Sequence, residues 1–167
     1  MSTQVVVVGS GYAGAGAVKA FEDEVGDGEA ELTWISEHDY HLVLHEVHRA
    51  IRNPAVEDKI TIPVDEIKSP ESDFVKGRVV DVDTEDRVVE TDDGTTVDYD
   101  YLLLGVGSTT AFFGIEGLKE NAHQLKSLDD AKAIHEDVRE AAADATRSDP
   151  AEVIVGGAGL SGLQTAG

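Results

Sequence analysis

Apolar positions in this chain fall into short β-branched runs and longer stripes at helical spacing, and the two alternate. Val5–Val8 is an unbroken valine run, the pattern of a strand buried on both faces. A helix is predicted to open at Tyr12 and to carry Ala13, Ala15, Ala17, Val18, Ala20 and Phe21. Gly26, Asp27 and Gly28 supply its stop signal. Leu32–Ile35 is a second apolar run, which completes a βαβ unit of about 30 residues. His41–Ile51, ahead of Asn53-Pro54, is expected to be a short helix.

The period then changes. Phe74–Val82, Arg87–Glu90 and Thr95–Asp98 predict antiparallel strands, with Asp93-Gly94 able to take the positive φ of a tight hairpin. The stretch "YDYLLLGVGS" predicts another buried strand ending in glycines. Ser127 and Asp130 have capping-box spacing at the head of a long helix whose apolar face is Leu128, Ala131, Ile134, Val138, Ala142 and Ala145. Asp149-Pro150 closes that helix, and Val153–Val155 predicts the strand of a second βα unit.

Two of the runs lead into the same glycine pattern. "VVVVGSGYAGAGA" places Gly9, Gly11 and Gly14 behind the first strand, and "VIVGGAGLSGLQTAG" places Gly157, Gly159 and Gly162 behind the last. In G-x-G-x-x-G the first glycine allows a tight turn and the second lets the main chain approach a pyrophosphate. The third lets the helix pack close to the sheet. The helix N-terminus then offers N–H donors and a positive dipole end to phosphate. A nucleotide site also needs an acid after the second strand to accept from ribose hydroxyls. In "WISEHDY" Ser36 stands where that acid is often found and Glu37 follows it; Glu37 is the preferred candidate. Ser10 and Ser161 lie in the glycine turns with no base placed to activate them, so turn chemistry is their expected role.

Composition narrows the classes. The 167 residues contain no cysteine, which excludes disulfide, Cys-zinc and thiol redox chemistry from this stretch. No apolar run is long enough for a membrane span, and Met-Ser-Thr-Gln is no signal peptide, so a soluble cytoplasmic chain is expected. Thirty-four acidic residues against thirteen basic give a formal charge of −21. Phosphate backbones would be repelled, so no nucleic-acid partner is expected. Dispersed acids among regular apolar segments suit a carboxylate-coated globule adapted to high salt, where a Debye length of about 3 Å at 1 M mutes self-repulsion.

Two such fingerprints separated by a β-meander resemble the pyridine nucleotide-disulfide oxidoreductase superfamily. "GSGYAGAGA", "DYHLVLHEV", "YDYLLLGVGS" followed by "GIEGL", "LKSLDDAKAI" and "VIVGGAGLSGLQTAG" resemble, in order, its type II NADH dehydrogenases, the single-subunit NADH:quinone oxidoreductases. The resemblance implies an α/β fold: a Rossmann-like FAD-binding domain over residues 1–150, with a central parallel sheet and a β-meander crossover. Residues 151–167 would be the first βα unit of a Rossmann-like NAD(P)H-binding domain. It implies FAD at Gly9, Gly11, Tyr12, Ala13, Gly14, Ser36, Glu37, Val79, Val80, Gly105 and Gly107, and NADH as co-substrate at Gly157, Gly159 and Gly162. The parent enzyme would pass a hydride from NADH to FAD and electrons on to a quinone.

The resemblance further implies an N-terminal fragment, inactive alone, of a parent peripheral on the cytoplasmic membrane face through C-terminal sequence beyond Gly167; a homodimer is also admitted. Three places depart from the family pattern. Gly105-Val106-Gly107 replaces an "ATG"-like turn, the stretch around Val43–His45 is shortened, and Gln164 stands where a glutamate is usual. Two other readings remain. Sulfide:quinone oxidoreductase shares the architecture but uses redox cysteines, and a non-catalytic flavin- or nucleotide-binding module would show no hydride transfer. His38, His41, His45 and His48 crowd one segment, and on a helix His41, His45 and His48 would share a zinc-competent face. Packing beside the cofactor, or solvation, is the preferred role, and no metal is expected.

Overall fold

The computed structural model describes residues 2–26 and 28–167. Asp27, expected to help end the first helix, lies outside them. The chain packs as two units, Met1–His41 with Ile62–Ser108, and Leu42–Thr61 with Thr109–Gly167.

In the first unit β1 (Thr3–Val8) leads into α1 (Tyr12–Glu24), and β2 (Ala30–Ser36) returns parallel to β1, with Val5 opposite Leu32 and Val8 opposite Ile35. Short strands β3 (Tyr40–Leu42) and β4 (Thr61–Pro63) come next in β order, then β5 (Asp73–Lys76). An antiparallel meander of β6 (Val79–Asp83), β7 (Val88–Thr91) and β8 (Thr96–Asp98) precedes β9 (Tyr101–Leu104). The main sheet runs β5-β2-β1-β9, every pair parallel.

The valine run now has its reason. Successive side chains of a strand point to opposite faces. Val7 packs with Ala15, Val18, Leu32, Trp34 and Val64 in the cluster that holds α1, while Val6 and Val8 pack with Ile35 and Val89 against the meander. Burial of each such valine contributes about 1.5–3 kcal/mol. Polar ties fix the far end of α1: Glu22 Oε1 accepts from Ser69 N–H at 2.8 Å and from the Ser72 hydroxyl at 2.6 Å.

In the second unit α2 (His48–Arg52) and α3 (Glu57–Ile60) are followed by α4 (Leu118–Asn121), α5 (Leu128–Ala143) and α6 (Leu160–Ala166). Its core is Val47, Ala50, Ile60, Leu128 and Ala131. The capping box at α5 forms as read: Ser127 Oγ accepts from Asp130 N–H at 3.0 Å, and Asp130 Oδ2 accepts from Ser127 N–H at 2.9 Å. The apolar face is deepest at Leu128 and Ala131 and fades to exposed Ala142; the helix ends at Ala143, leaving Ala145 outside.

Four expectations are corrected. The segment His41–Ile51 is no single helix: His41 lies in β3, Leu44–Glu46 is one 3-10 turn, and α2 starts only at His48. The run Phe74–Val82 divides between two sheets, because Gly77 N–H bonds Ser36 O at 2.9 Å and ends the parallel ladder. Gly77 has no Cβ to meet Thr91, whose side chain would be 3.0 Å away, and β6 departs from there. The strand in "YDYLLLGVGS" forms but is largely exposed, since among the described residues β9 pairs with β1 alone and is an edge; Tyr101 and Leu104 are 67% and 56% exposed. Val153–Val155 forms no strand, because no described residue pairs with it, and Ile154 is 94% exposed.

Candidate functional site

The parallel sheet has a switch point. From β1 the chain passes to β2 and β5 on one side and to β9 on the other, and the carboxyl ends of strands at such a switch point are where open α/β sheets bind ligands, here β1 and β9. Gly9 follows β1 there and Gly105 follows β9.

Their packing admits no side chain. Gly9 has φ +99°, and a Cβ on it would stand 2.4 Å from Gly105 O. A Cβ on Gly14 would stand 1.7 Å from Gly9 O, and one on Gly105 3.0 Å from both Gly14 N and Val8 O. Gly9, Gly14 and Gly105 therefore close strand, helix and returning strand onto one another. Gly11 differs: apart from its chain neighbours, no described residue lies within 4 Å of where its Cβ would be. Its bare Cα leaves open space at the helix mouth, as close approach of a ligand to the main chain requires.

Gly11 is the N-cap of α1, extended at φ −72° and ψ −175°, and offers no side-chain cap. In a chain with 34 acidic residues, none falls in the first turn of α1. The positive dipole end and the N–H donors of that turn are left for an anion. Tyr12 and Ala13 are exposed at this mouth, while Gly14 is buried beneath it.

Behind the turn lies a polar network. Trp34 Nε1–H donates to Gly9 O at 2.9 Å, and buried His41 holds Ser10 O through Nδ1 at 2.7 Å. Ser36 Oγ donates to Ser10 Oγ at 2.9 Å, and Ser10 Oγ donates to Tyr40 O at 2.8 Å. The Tyr12 ring meets His41 edge-on at 4.7 Å. Ser36 is thus buried and committed to the loop, whereas its neighbour Glu37 is exposed. In the meander the pairing shifts between Val79 and Asp81, so Val80 sits at a bulge and is 58% exposed, while Val79 packs inward. Gly107, at φ +69°, has open space around it.

The second fingerprint repeats the first. Gly157 has φ +129°, Gly159 caps α6 at φ −75° and ψ 176°, and a Cβ on Gly162 would stand 2.0 Å from Gly157 O. Leu163 N–H bonds Gly159 O at 3.0 Å, as Ala15 N–H bonds Gly11 O at 2.9 Å. No acid lies in the first turn of α6 either.

The histidines do not form a metal face. His38 stacks on Tyr40 at 5.0 Å, His45 lies 3.9 Å from Glu46, and His41 faces the glycine turn. Among the described residues no group of three His, Cys, Asp or Glu side chains is placed to hold a metal, and no helix is long and apolar enough to cross a membrane. Sequence reasoning missed Trp34 and His41 as supports of the turn; a side-chain N–H bonded to a distant carbonyl leaves no periodic trace.

Comparison with known proteins gives one family model over nearly the whole chain: pyridine nucleotide-disulphide oxidoreductase matches residues 3–167. The type II NADH:quinone oxidoreductase of Staphylococcus aureus (strain NCTC 8325 / PS 47) is 29% identical over 170 residues, covering 98% of this chain and 42% of that protein. This chain therefore spans about two fifths of the length of the curated relatives it matches. Among solved structures, NDH2 from Plasmodium falciparum in complex with NADH superposes with TM-score 0.72 at 20% identity, over 86% of this chain and 30% of that one. The sulfide:quinone oxidoreductase from Aquifex aeolicus gives TM-score 0.70 at 22% identity, over 86% and 33%. Likenesses at this identity are likenesses of fold.

Proposed function

The chain belongs to the pyridine nucleotide-disulphide oxidoreductase family, and from that premise we propose that it is the flavin-binding part of an NADH:quinone oxidoreductase. The observation that carries the reading is the first glycine turn. Gly9, Gly14 and Gly105 pack without side chains, and Gly11 leaves its mouth open between β1 and β9. The S. aureus relative, matched across 98% of this chain, supports the choice of activity.

FAD fits this place on the chain's own chemistry: an uncapped helix start without acids suits a pyrophosphate, and an open Gly11 lets it approach. Gly9, Gly11, Tyr12, Ala13 and Gly14 would hold the pyrophosphate side. Glu37 would accept from the ribose hydroxyls at the end of β2, with Ser36 positioning the turn through Ser10. Val79 and Val80 would contact the cofactor from the start of the meander, and Gly105 and Gly107 would line the approach from β9. When bound, the flavin supplies the hydride and electron chemistry. The protein's part is to bind, orient and exclude water.

Residues 1–150 are read as the flavin domain and 151–167 as the opening βα unit of the NADH domain, with Gly157, Gly159 and Gly162 at its phosphate turn. The acceptor is a quinone, and the working place is the surface of a membrane. With −21 of formal charge and no carboxylate among the buried polar residues described, high salt is the environment that suits this surface. The test is purification in salt with added FAD. Flavin absorption bands that survive desalting are expected. A colourless preparation that takes up NADH stoichiometrically at Gly9–Gly14 would overturn the assignment.

A further inference from the structure

Two consecutive peptides of the first glycine turn are held by buried ring nitrogens. The Gly9 carbonyl accepts from Trp34 Nε1–H at 2.9 Å, and the Ser10 carbonyl lies 2.7 Å from His41 Nδ1. Trp34 and His41 are 0% and 6% exposed. A carbonyl oxygen only accepts, so the His41 ring must present Nδ1–H to it. A trans peptide is planar, with its N–H antiparallel to its C=O. Pinning Gly9 O toward Trp34 therefore turns Ser10 N–H away from that ring, and pinning Ser10 O toward His41 does the same to Gly11 N–H.

Neither N–H bonds to another described group of the chain. Ser10 is 9% exposed, and an amide left without a partner in such a place is costly and uncommon. The two carbonyls that would repel an anion are turned inward, and the two donors that would bind one are left over. Ser10 and Gly11 are also the residues at the helix mouth, where Gly11 leaves open space.

We propose that His41, with Trp34, is a positioning residue of the phosphate turn, holding the Ser10 and Gly11 amides toward a pyrophosphate before any ligand arrives. The inference rests on the flavin reading of this turn and adds a residue outside the glycine motif. It is also particular to this turn. At the second fingerprint Ala158 takes the place of Ser10, and no described ring N–H donates to Gly157 O or Ala158 O.

The experiment compares the purified chain with His41→Phe and His41→Asn. Phenylalanine keeps a ring against Tyr12 and removes the donor; asparagine places an amide N–H near the position of Nδ1. FAD and ADP affinities are read by fluorescence titration and calorimetry, beside the melting temperature of each unliganded protein. His41→Phe is expected to weaken both ligands about tenfold, and His41→Asn to return to within about threefold of wild type. Long-range 15N NMR of the wild-type ring should show Nδ1–H before and after FAD is added. Equal FAD affinity in His41→Phe and wild type overturns the role of His41 while leaving the flavin site standing. If His41→Phe does not fold, an asparagine variant as weak as one lacking the donor, or an Nε2–H ring in wild type, overturns it as well. Wild type that binds neither FAD nor ADP overturns the flavin reading itself.

Discussion

Replacing Gly14 by alanine sets two known effects against each other and lets the structure decide the sign. In a helix, alanine is favoured over glycine by about 1 kcal/mol. At Gly14 the added methyl would stand 1.7 Å from Gly9 O and 2.9 Å from Gly9 C, both main-chain atoms that no rotamer change can move. Restoring ordinary contact needs a separation of roughly 1.5 Å between α1 and the turn. That shift breaks the 2.9 Å bond from Trp34 Nε1 to Gly9 O and opens the packing of Ala15 and Val18 on Trp34.

Overpacking of this kind costs about 1–3 kcal/mol, and a buried donor left without its acceptor about 1–3 kcal/mol more. After the propensity gain, Gly14→Ala should lose about 3 kcal/mol, a fall of roughly 6–12 °C in melting temperature for a chain of this size. Trp34, the only tryptophan, is buried beside the perturbation, so its fluorescence reports urea unfolding of the affected region directly. Gly11→Ala is the matched control three residues away. With nothing within 4 Å of its new methyl, it should cost only about 0.5 kcal/mol yet fill the space a pyrophosphate needs, abolishing FAD binding while the fold survives. A Gly14→Ala variant within 0.5 kcal/mol of wild type on the scale of ordinary surface changes would refute the steric reasoning.

Three further outcomes follow from the surface and the turn. Melting temperature should fall when molar potassium chloride is diluted to about 0.01 M, where the Debye length grows to about 30 Å and the −21 charge repels itself across the surface; melts that superpose at both salts would remove the high-salt reading. The Asp93 carboxyl is held below the usual carboxylate range, first by the Thr91 hydroxyl and then by Thr95 N–H. A depressed folded value gives stability that is present above the ordinary carboxylate range and lost as pH falls through it. Asp93→Asn should therefore flatten part of the acid limb below the ordinary carboxylate range, and urea midpoints that retain the wild-type pH slope would count against it. Glu37→Ala should weaken FAD by about tenfold while leaving stability within about 0.5 kcal/mol, since Glu37 is exposed; unchanged flavin affinity would send the ribose contact elsewhere.

How far a sequence discloses its structure depends on where the cause of each feature lies. Val5–Val8 and Leu32–Ile35 were legible because one strand's own residues record burial on two faces, and Ser127 with Asp130 because a capping box closes within four positions. The glycines were legible because a missing Cβ is a local fact with a local use. What failed had distant causes. Tyr40–Leu42 is a strand although its His41 fits a helical face with His45 and His48, and a segment this short has too few residues for periodicity to arbitrate. Asp73–Lys76 and Val79–Asp83 read as one run because their division turns on Gly77 meeting Ser36 and Thr91, residues 41 and 14 positions away by number. Val153–Val155 carries full β-propensity and finds no ladder partner among the described residues, since propensity describes fitness for a ladder and not the presence of one. The same logic explains why the glycine motif was found and its supports were not. A turn that must approach a phosphate writes itself as glycine, whereas the groups that aim its amides need only bring an N–H to a carbonyl. Trp34 and His41 do so from 25 and 31 residues away. Any donor of suitable reach can serve, so no residue type marks the task, and only the assembled fold assigns it.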